Sequence, residues 1–146
     1  MGDFGGRGWE WIGNFLALGG FWLLIKKIIR WQIPVGVGVG LLGPAFIMYL
    51  VDPGTSPGPG FHLFAGATIL CAFFIATDPV SAATSPKGRL IYGVGIGFLI
   101  WCIRRWGSYA DGVAFAVLIM NMAVPAIDYL TRPRIVGHDD GVEANE

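Results

Sequence analysis

Charge is scarce in this chain, and it is balanced. Only 14% of the residues are charged, ten basic against ten acidic, so no surplus is left to attract a polyanion and nucleic acid is excluded as a partner. There are only two histidines and two cysteines, and their spacing matches no metal motif. Cys71 and Cys102 both fall inside apolar runs, where free cysteine serves as a small packing residue. The sequence offers no nucleophile–base pair, no paired carboxylates and no Walker loop. The glycines of VGVGVG (35–40) lack the strand–turn–helix setting of a dinucleotide fingerprint. A complete active site is therefore absent. No secretory leader is evident either, because the first apolar run starts near Trp9 without a basic leader or a cleavage site.

What the chain has instead is oil. Over half of it (54%) is hydrophobic and the mean hydropathy is +0.61, which is too apolar for a water-soluble domain of 146 residues. The pattern predicts an all-α polytopic membrane protein of about five transmembrane helices, at 9–29, 33–51, 61–77, 90–103 and 112–130. A glycine-rich lead-in (1–8) precedes this bundle (9–130), and a polar tail (131–146) follows it. Trp9 and Trp11 suit the membrane interface, where an indole is wet at one end and apolar at the other. The second span opens with a two-residue alternation that would read as a strand in water, but a lone strand leaves its backbone groups unpaired in lipid. Gly36 and Gly40, and again Gly93 and Gly97, form small-residue faces that allow another helix close, while Pro44 is expected to kink the second span. The stretch 90–103 is short for a crossing, so Arg89, Arg104 and Arg105 are expected to snorkel to the headgroups.

The longest polar interruption, IATDPVSAATSPKGRLIYG (75–93), reads as a hinge between spans. Pro79 disfavours helix at the residue before it, so the third span should end at Asp78. Acids at membrane boundaries are by default candidates for an ion or proton pathway, and three stand out: Asp78, Asp128 and Asp111. Each also has a structural reading. Asp128 could pair with Arg132 one turn on, Asp78 could be held by Lys87 or Arg89, and Asp111 could cap the fifth helix. Asn121 suits a hydrogen bond to a neighbouring helix, and His62 suits either a proton relay or a structural role. Seven bases lie on the side of the first, third and fifth connections against three on the other, which predicts an outside N-terminus and a cytoplasmic C-terminus.

Several of these stretches carry a resemblance. FHLFAGATILCAFFIATDPVSAATSPKGRLIYG (61–93) and YADGVAFAVLIMNMAVPAIDYLTRPRIVGH (109–138) closely resemble the C-terminal half of the RnfD (RsxD) subunits of bacterial ion-translocating electron transport complexes, and more loosely the NqrB subunits of sodium-pumping NADH:quinone reductase. GWEW (8–11) and IRWQIP (29–34) extend the match over nearly the whole chain. The resemblance implies a multi-pass subunit in the bacterial inner (cytoplasmic) membrane that relays electrons through flavin while the complex moves sodium ions or protons. It also implies other membrane and iron–sulfur subunits as partners.

Members of this family carry FMN on a threonine in a motif like S-G-A-T-P-L, with a second flavin possible. Ala65-Gly66-Ala67-Thr68 looks like that motif, yet the family's attachment threonine lies in an extramembrane loop upstream of the segment that matches Gly8 to Trp11. Thr68 would also sit about 10 Å inside an apolar helix. The expectation is thus a C-terminal fragment whose covalent flavin is attached upstream, with Asp78, Asp111 and Asp128 matching acidic positions of the family pattern. Two rival readings remain, a secondary transporter bundle, favoured by the Gly/Pro-interrupted second span, and a purely structural membrane subunit.

Overall fold

The computed structural model describes residues 8–55, 58–64, 67–107 and 112–131, and among these residues every regular element is helical. The expected lead-in, apart from Gly8, and the expected polar tail beyond Thr131 lie outside the described residues. The elements are α1 (Trp9–Ile25), α2 (Gln32–Val51), α3 (Pro59–Phe64), α4 (Thr68–Leu70) continuing into a π-helical turn (Cys71–Ile75), α5 (Pro86–Trp106) and α6 (Gly112–Thr131).

The backbone of the arrangement is the pairing of α2 with α5. Gly36 lies against Gly93 and the Leu90 carbonyl, whereas Gly40 and Gly97 lie against the carbonyls of Val94 and Val37. Contacts advance in the same direction along both helices, so the two run parallel. A Cβ on Gly40 or Gly97 would collide with those carbonyl oxygens, so the approach requires the hydrogen side chain. The two small-residue faces seen in the sequence therefore meet each other. Ile33, Val37 and Leu41 of α2 and Tyr92, Ile96 and Ile100 of α5 complete a fully enclosed seam.

The other runs pack around that spine in alternating directions. α6 returns antiparallel to α5, with Gly112 beside Ile103, Met120 beside Gly95 and Thr131 beside Gly88. α1 lies alongside the α4 and π-turn segment, with Gly13 beside Ile69 and Gly20 against Phe73. Cys71 is buried in the same core and Cys102 is half-buried, both as free thiols.

Outward faces are apolar. Phe15 and Trp22 on α1, Phe46 and Leu50 on α2, and Leu118 and Met122 on α6 are all more than half exposed. α2 and α6 are each 20 residues long and apolar enough to cross a membrane, with mean hydropathies of 1.9 and 1.8. α1, at 17 residues, is shorter.

Two stretches differ from the sequence reading. α5 extends through its charged flanks to 21 residues, about 31 Å, so the fourteen apolar residues 90–103 need not cross unaided. The continuous helix expected over 61–77 is instead built from α3, α4 and the π turn, with a non-helical Ala67 (φ −88°, ψ 22°) ahead of α4 and Ile75 as the last helical residue. Pro44 lies inside a helix that continues on both sides of it.

Candidate functional site

The hinge after the π turn is built by its own side chains. The turn closes with Ala76 N–H donating to the Cys71 carbonyl at 2.8 Å, after which the chain leaves helical geometry. The Asp78 carboxylate accepts from Val80 N–H and from the Ser81 hydroxyl, both at 3.3 Å, and its backbone carbonyl accepts from Ala82 N–H at 3.0 Å. An aspartate that folds the next residues onto itself in this way makes a turn without help from a distant element.

Asp128 reaches the same hinge from α6. Its carboxylate accepts from Thr84 N–H at 2.9 Å, so the hinge is tied to the last helix. Beside that contact, Ser85 caps α5 by accepting from Gly88 N–H at 2.9 Å, with Pro86 at the first helical position, where the missing donor costs nothing. The Thr131 hydroxyl donates to the Ile127 carbonyl at 2.7 Å and thus accepts from Ser85 at 2.6 Å. These hydroxyls join α6 to α5 just below the two carboxylates.

Asp78 and Asp128 are therefore brought to one loop, and both are anchored by neutral donors. Among the described residues neither carboxylate is in an ion pair. Arg89, one of the cations that could have held Asp78, instead donates from Nε to the Ala83 carbonyl at 3.1 Å. The pairing of Asp128 with Arg132, and the position of Asp111, lie outside the described residues. Asn121 accepts from the fully buried Tyr92 hydroxyl at 2.5 Å, a bond between α6 and α5.

The opposite end of the bundle holds a second polar cluster. Arg104 donates from Nη1 to the His62 carbonyl at 2.6 Å and from Nη2 to the Thr68 hydroxyl at 2.7 Å. The Thr68 hydroxyl donates in turn to the His62 carbonyl at 3.2 Å. One guanidinium thereby bridges α3 and α4, supplying donors to oxygens near an interrupted helix.

This cluster corrects one expectation. Arg104 turns inward onto the backbone rather than snorkelling, whereas Arg105, the next residue around the helix, is exposed. His62 is 8% exposed, and its Nδ1 has no hydrogen-bond partner among the described residues. Thr68 is wholly buried and its hydroxyl is engaged with Arg104 and with the His62 carbonyl, so these residues do not fit a phosphoester to FMN. The sequence offered only a weak signal for the Arg104 contact, an arginine at the end of one apolar run and a threonine within another.

The family model for the NQR2, RnfD, RnfE family matches residues 1–137. A protein of Vibrio cholerae, named as a subunit of an ion-translocating oxidoreductase complex, is 57% identical over 135 residues, which cover 92% of this chain and 39% of that protein. Proteins of the same name from Alcanivorax borkumensis and Yersinia pseudotuberculosis are 54% and 52% identical, over 94% and 93% of this chain and 40% and 39% of their own lengths. The chain thus spans about two fifths of the length of these relatives.

Proposed function

The chain belongs to the NQR2, RnfD, RnfE family, and from that premise we propose that it forms a membrane portion of an RnfD-type subunit in an ion-translocating oxidoreductase complex, with Asp78 and Asp128 handling the ion. The observation that carries this reading is the convergence of two carboxylates on one hinge between apolar runs, each held only by neutral donors among the described residues. Asp78 is exposed and Asp128 partly buried, so a passing Na+ or H+ can reach both carboxylates, and acids at a membrane boundary are candidates for an ion path.

In this reading the five runs all cross the inner membrane, with the hinge on the cytoplasmic side and the N-terminus outside. Asp111, which lies outside the described residues, is proposed as a third acid of the path on the resemblance alone. The other membrane and iron–sulfur subunits of the complex are the proposed partners. The flavin relay implied by the resemblance is assigned to the remainder of a longer subunit, since Thr68 does not accommodate the attachment.

The experiment replaces Asp78 or Asp128 by asparagine in the complete complex and measures ion uptake into vesicles alongside electron transfer. Asp128→Asn would still offer an amide oxygen to Thr84 N–H, so the hinge geometry is kept and only the charge is lost. Ion uptake per electron is expected to fall by roughly tenfold or more, on the scale of about 1.4 kcal/mol per decade. Uptake unchanged in both variants would remove these residues from the path.

A further inference from the structure

A cleft of about 340 Å³ opens where the α1–α2 connection meets the hinge, and its chemistry differs from that of the two carboxylates beside it. Two arginines line it, Arg30 from the connection and Arg89 from the first turn of α5, and no acidic side chain does. Arg89 is oriented by the bond from its Nε to the Ala83 carbonyl, which leaves the two terminal nitrogens of the guanidinium as donors without a partner among the described residues. Arg30 is exposed, and Thr77 adds a hydroxyl at the wall, although that hydroxyl itself donates to the Phe73 carbonyl. The remaining walls include Ile28, Ile29, Ile33 and Pro79, which are apolar.

The surroundings point the same way. Lys26 and Lys27 close α1, and Lys26 lies over the Trp22 ring at 5.7 Å, an arrangement suited to the headgroup layer. Lys27 adopts φ 57°, a left-handed conformation usually left to glycine. Its N–H bonds Leu24 O and the next N–H bonds Leu23 O, the paired bonds of a Schellman turn, so a cation is retained where the backbone favours glycine. With Lys87 on the first turn of α5, five cations gather at this end against Asp78 and Asp128, and both of those carboxylates are turned onto hinge donors.

We propose that this cleft binds the phosphate of an anionic phospholipid, with Arg30 and Arg89 as donors to the phosphate oxygens and the isoleucines against the glycerol and upper acyl chain. Planar guanidinium groups match phosphate oxygens in pairs, and basic pockets between membrane helices suit lipid headgroups. A free phosphate compound would share the oxyanion chemistry but would leave the apolar walls unused.

The test uses the complete complex reconstituted in phosphatidylcholine vesicles containing spin-labelled phosphatidylglycerol. The motionally restricted fraction of the label is compared between wild type, Arg30→Gln, and the Arg30→Gln/Arg89→Gln pair. The Arg30 side chain is not bonded to the hinge, so the single variant reads binding without disturbing the fold there. Preference for phosphatidylglycerol over labelled phosphatidylcholine is expected to fall roughly threefold in the single variant and tenfold in the pair. Lys27→Gln, whose side chain lies outside the cleft, is expected to change it little. An equal loss in Lys27→Gln would mean diffuse surface attraction and would overturn the cleft. Displacement of the label by millimolar inorganic phosphate would overturn the lipid as its occupant. Unchanged preference in the double variant would overturn both. The readout is lipid binding, so its outcome is independent of ion uptake at Asp78 and Asp128.

Discussion

At one end of the bundle a guanidinium is tied to oxygens, and at the other two carboxylates are tied to backbone N–H groups and a hydroxyl. Arg104 meets the His62 carbonyl and Thr68, so the polar groups where α3 gives way to α4 are answered by a cation that belongs to the chain. Asp78 and Asp128 meet Val80, Ser81 and Thr84, none of which is charged. A region whose oxygens are already answered by a tethered cation has no charge to offer another. A region whose carboxylates are held by neutral donors, with no cation in contact among the described residues, can exchange one. The physical difference between a lock and a passage is therefore in the sign and ownership of the balancing charge, not in the number of hydrogen bonds.

The two ends are kept in register by the α2–α5 spine, so the largest effect comes from prying it apart. Gly97→Val brings a branched side chain into the Val37 carbonyl, where nothing flexible can yield. Overpacking of this kind costs about 1–3 kcal/mol even where a core can relax, and here the obstacle is backbone. The variant is expected to lose assembly into the complex, measured by co-purification of partner subunits. Gly38→Val is the matched control: it faces open space on α2 and is expected to assemble normally.

A smaller effect separates the ends from each other. Arg104→Gln replaces the charged donor to at least two oxygens by a shorter, neutral amide, at about 1 kcal/mol for each bond, the difference between a charged and a neutral donor. The thermal midpoint of the purified complex is expected to drop by several degrees. Arg105→Gln, exposed and adjacent, should fall within about 0.5 kcal/mol of the parent. Ion uptake per electron is expected to survive Arg104→Gln in the fraction that assembles, because the lock and the passage are at opposite ends. Selective loss of uptake without loss of stability would reverse the assignment of roles.

Much of this contrast was visible in the sequence, and the part that was not has a specific cause. Long charge-free stretches mark α2 and α6 because lipid leaves no alternative to helix, and the glycine pairs 36/40 and 93/97 announced a close crossing. The hinge was legible because Asp-Pro stops a helix within a few residues. Partner choice was not legible. A run of seventeen uncharged residues at 61–77 does not reveal that it is interrupted, since an interruption satisfied by an arginine from another helix leaves no mark within the run itself. Arg104 and Arg105 are neighbours of the same type, and only the facing groups distinguish the one that turns inward. For Asp128 the reverse holds: a cation four residues away was in view, yet the described contact is with Thr84, forty-four residues back.

That contact gives the smallest and sharpest comparison. Asp128→Ala deletes the acceptor for Thr84 N–H and frees the hinge from α6, at a cost of about 1–2 kcal/mol. Asp128→Asn keeps an oxygen in the same position, so it is expected to recover all but about 0.5–1 kcal/mol of that loss. If the carboxylate is there only to pin the hinge, ion uptake will follow stability, and asparagine will restore both. If its charge is what the ion needs, the two measurements will part: asparagine will restore the thermal midpoint and leave uptake as low as in the alanine variant. Because the two variants differ by an oxygen and not by a charge, their divergence isolates electrostatics from packing at a single atom of the hinge.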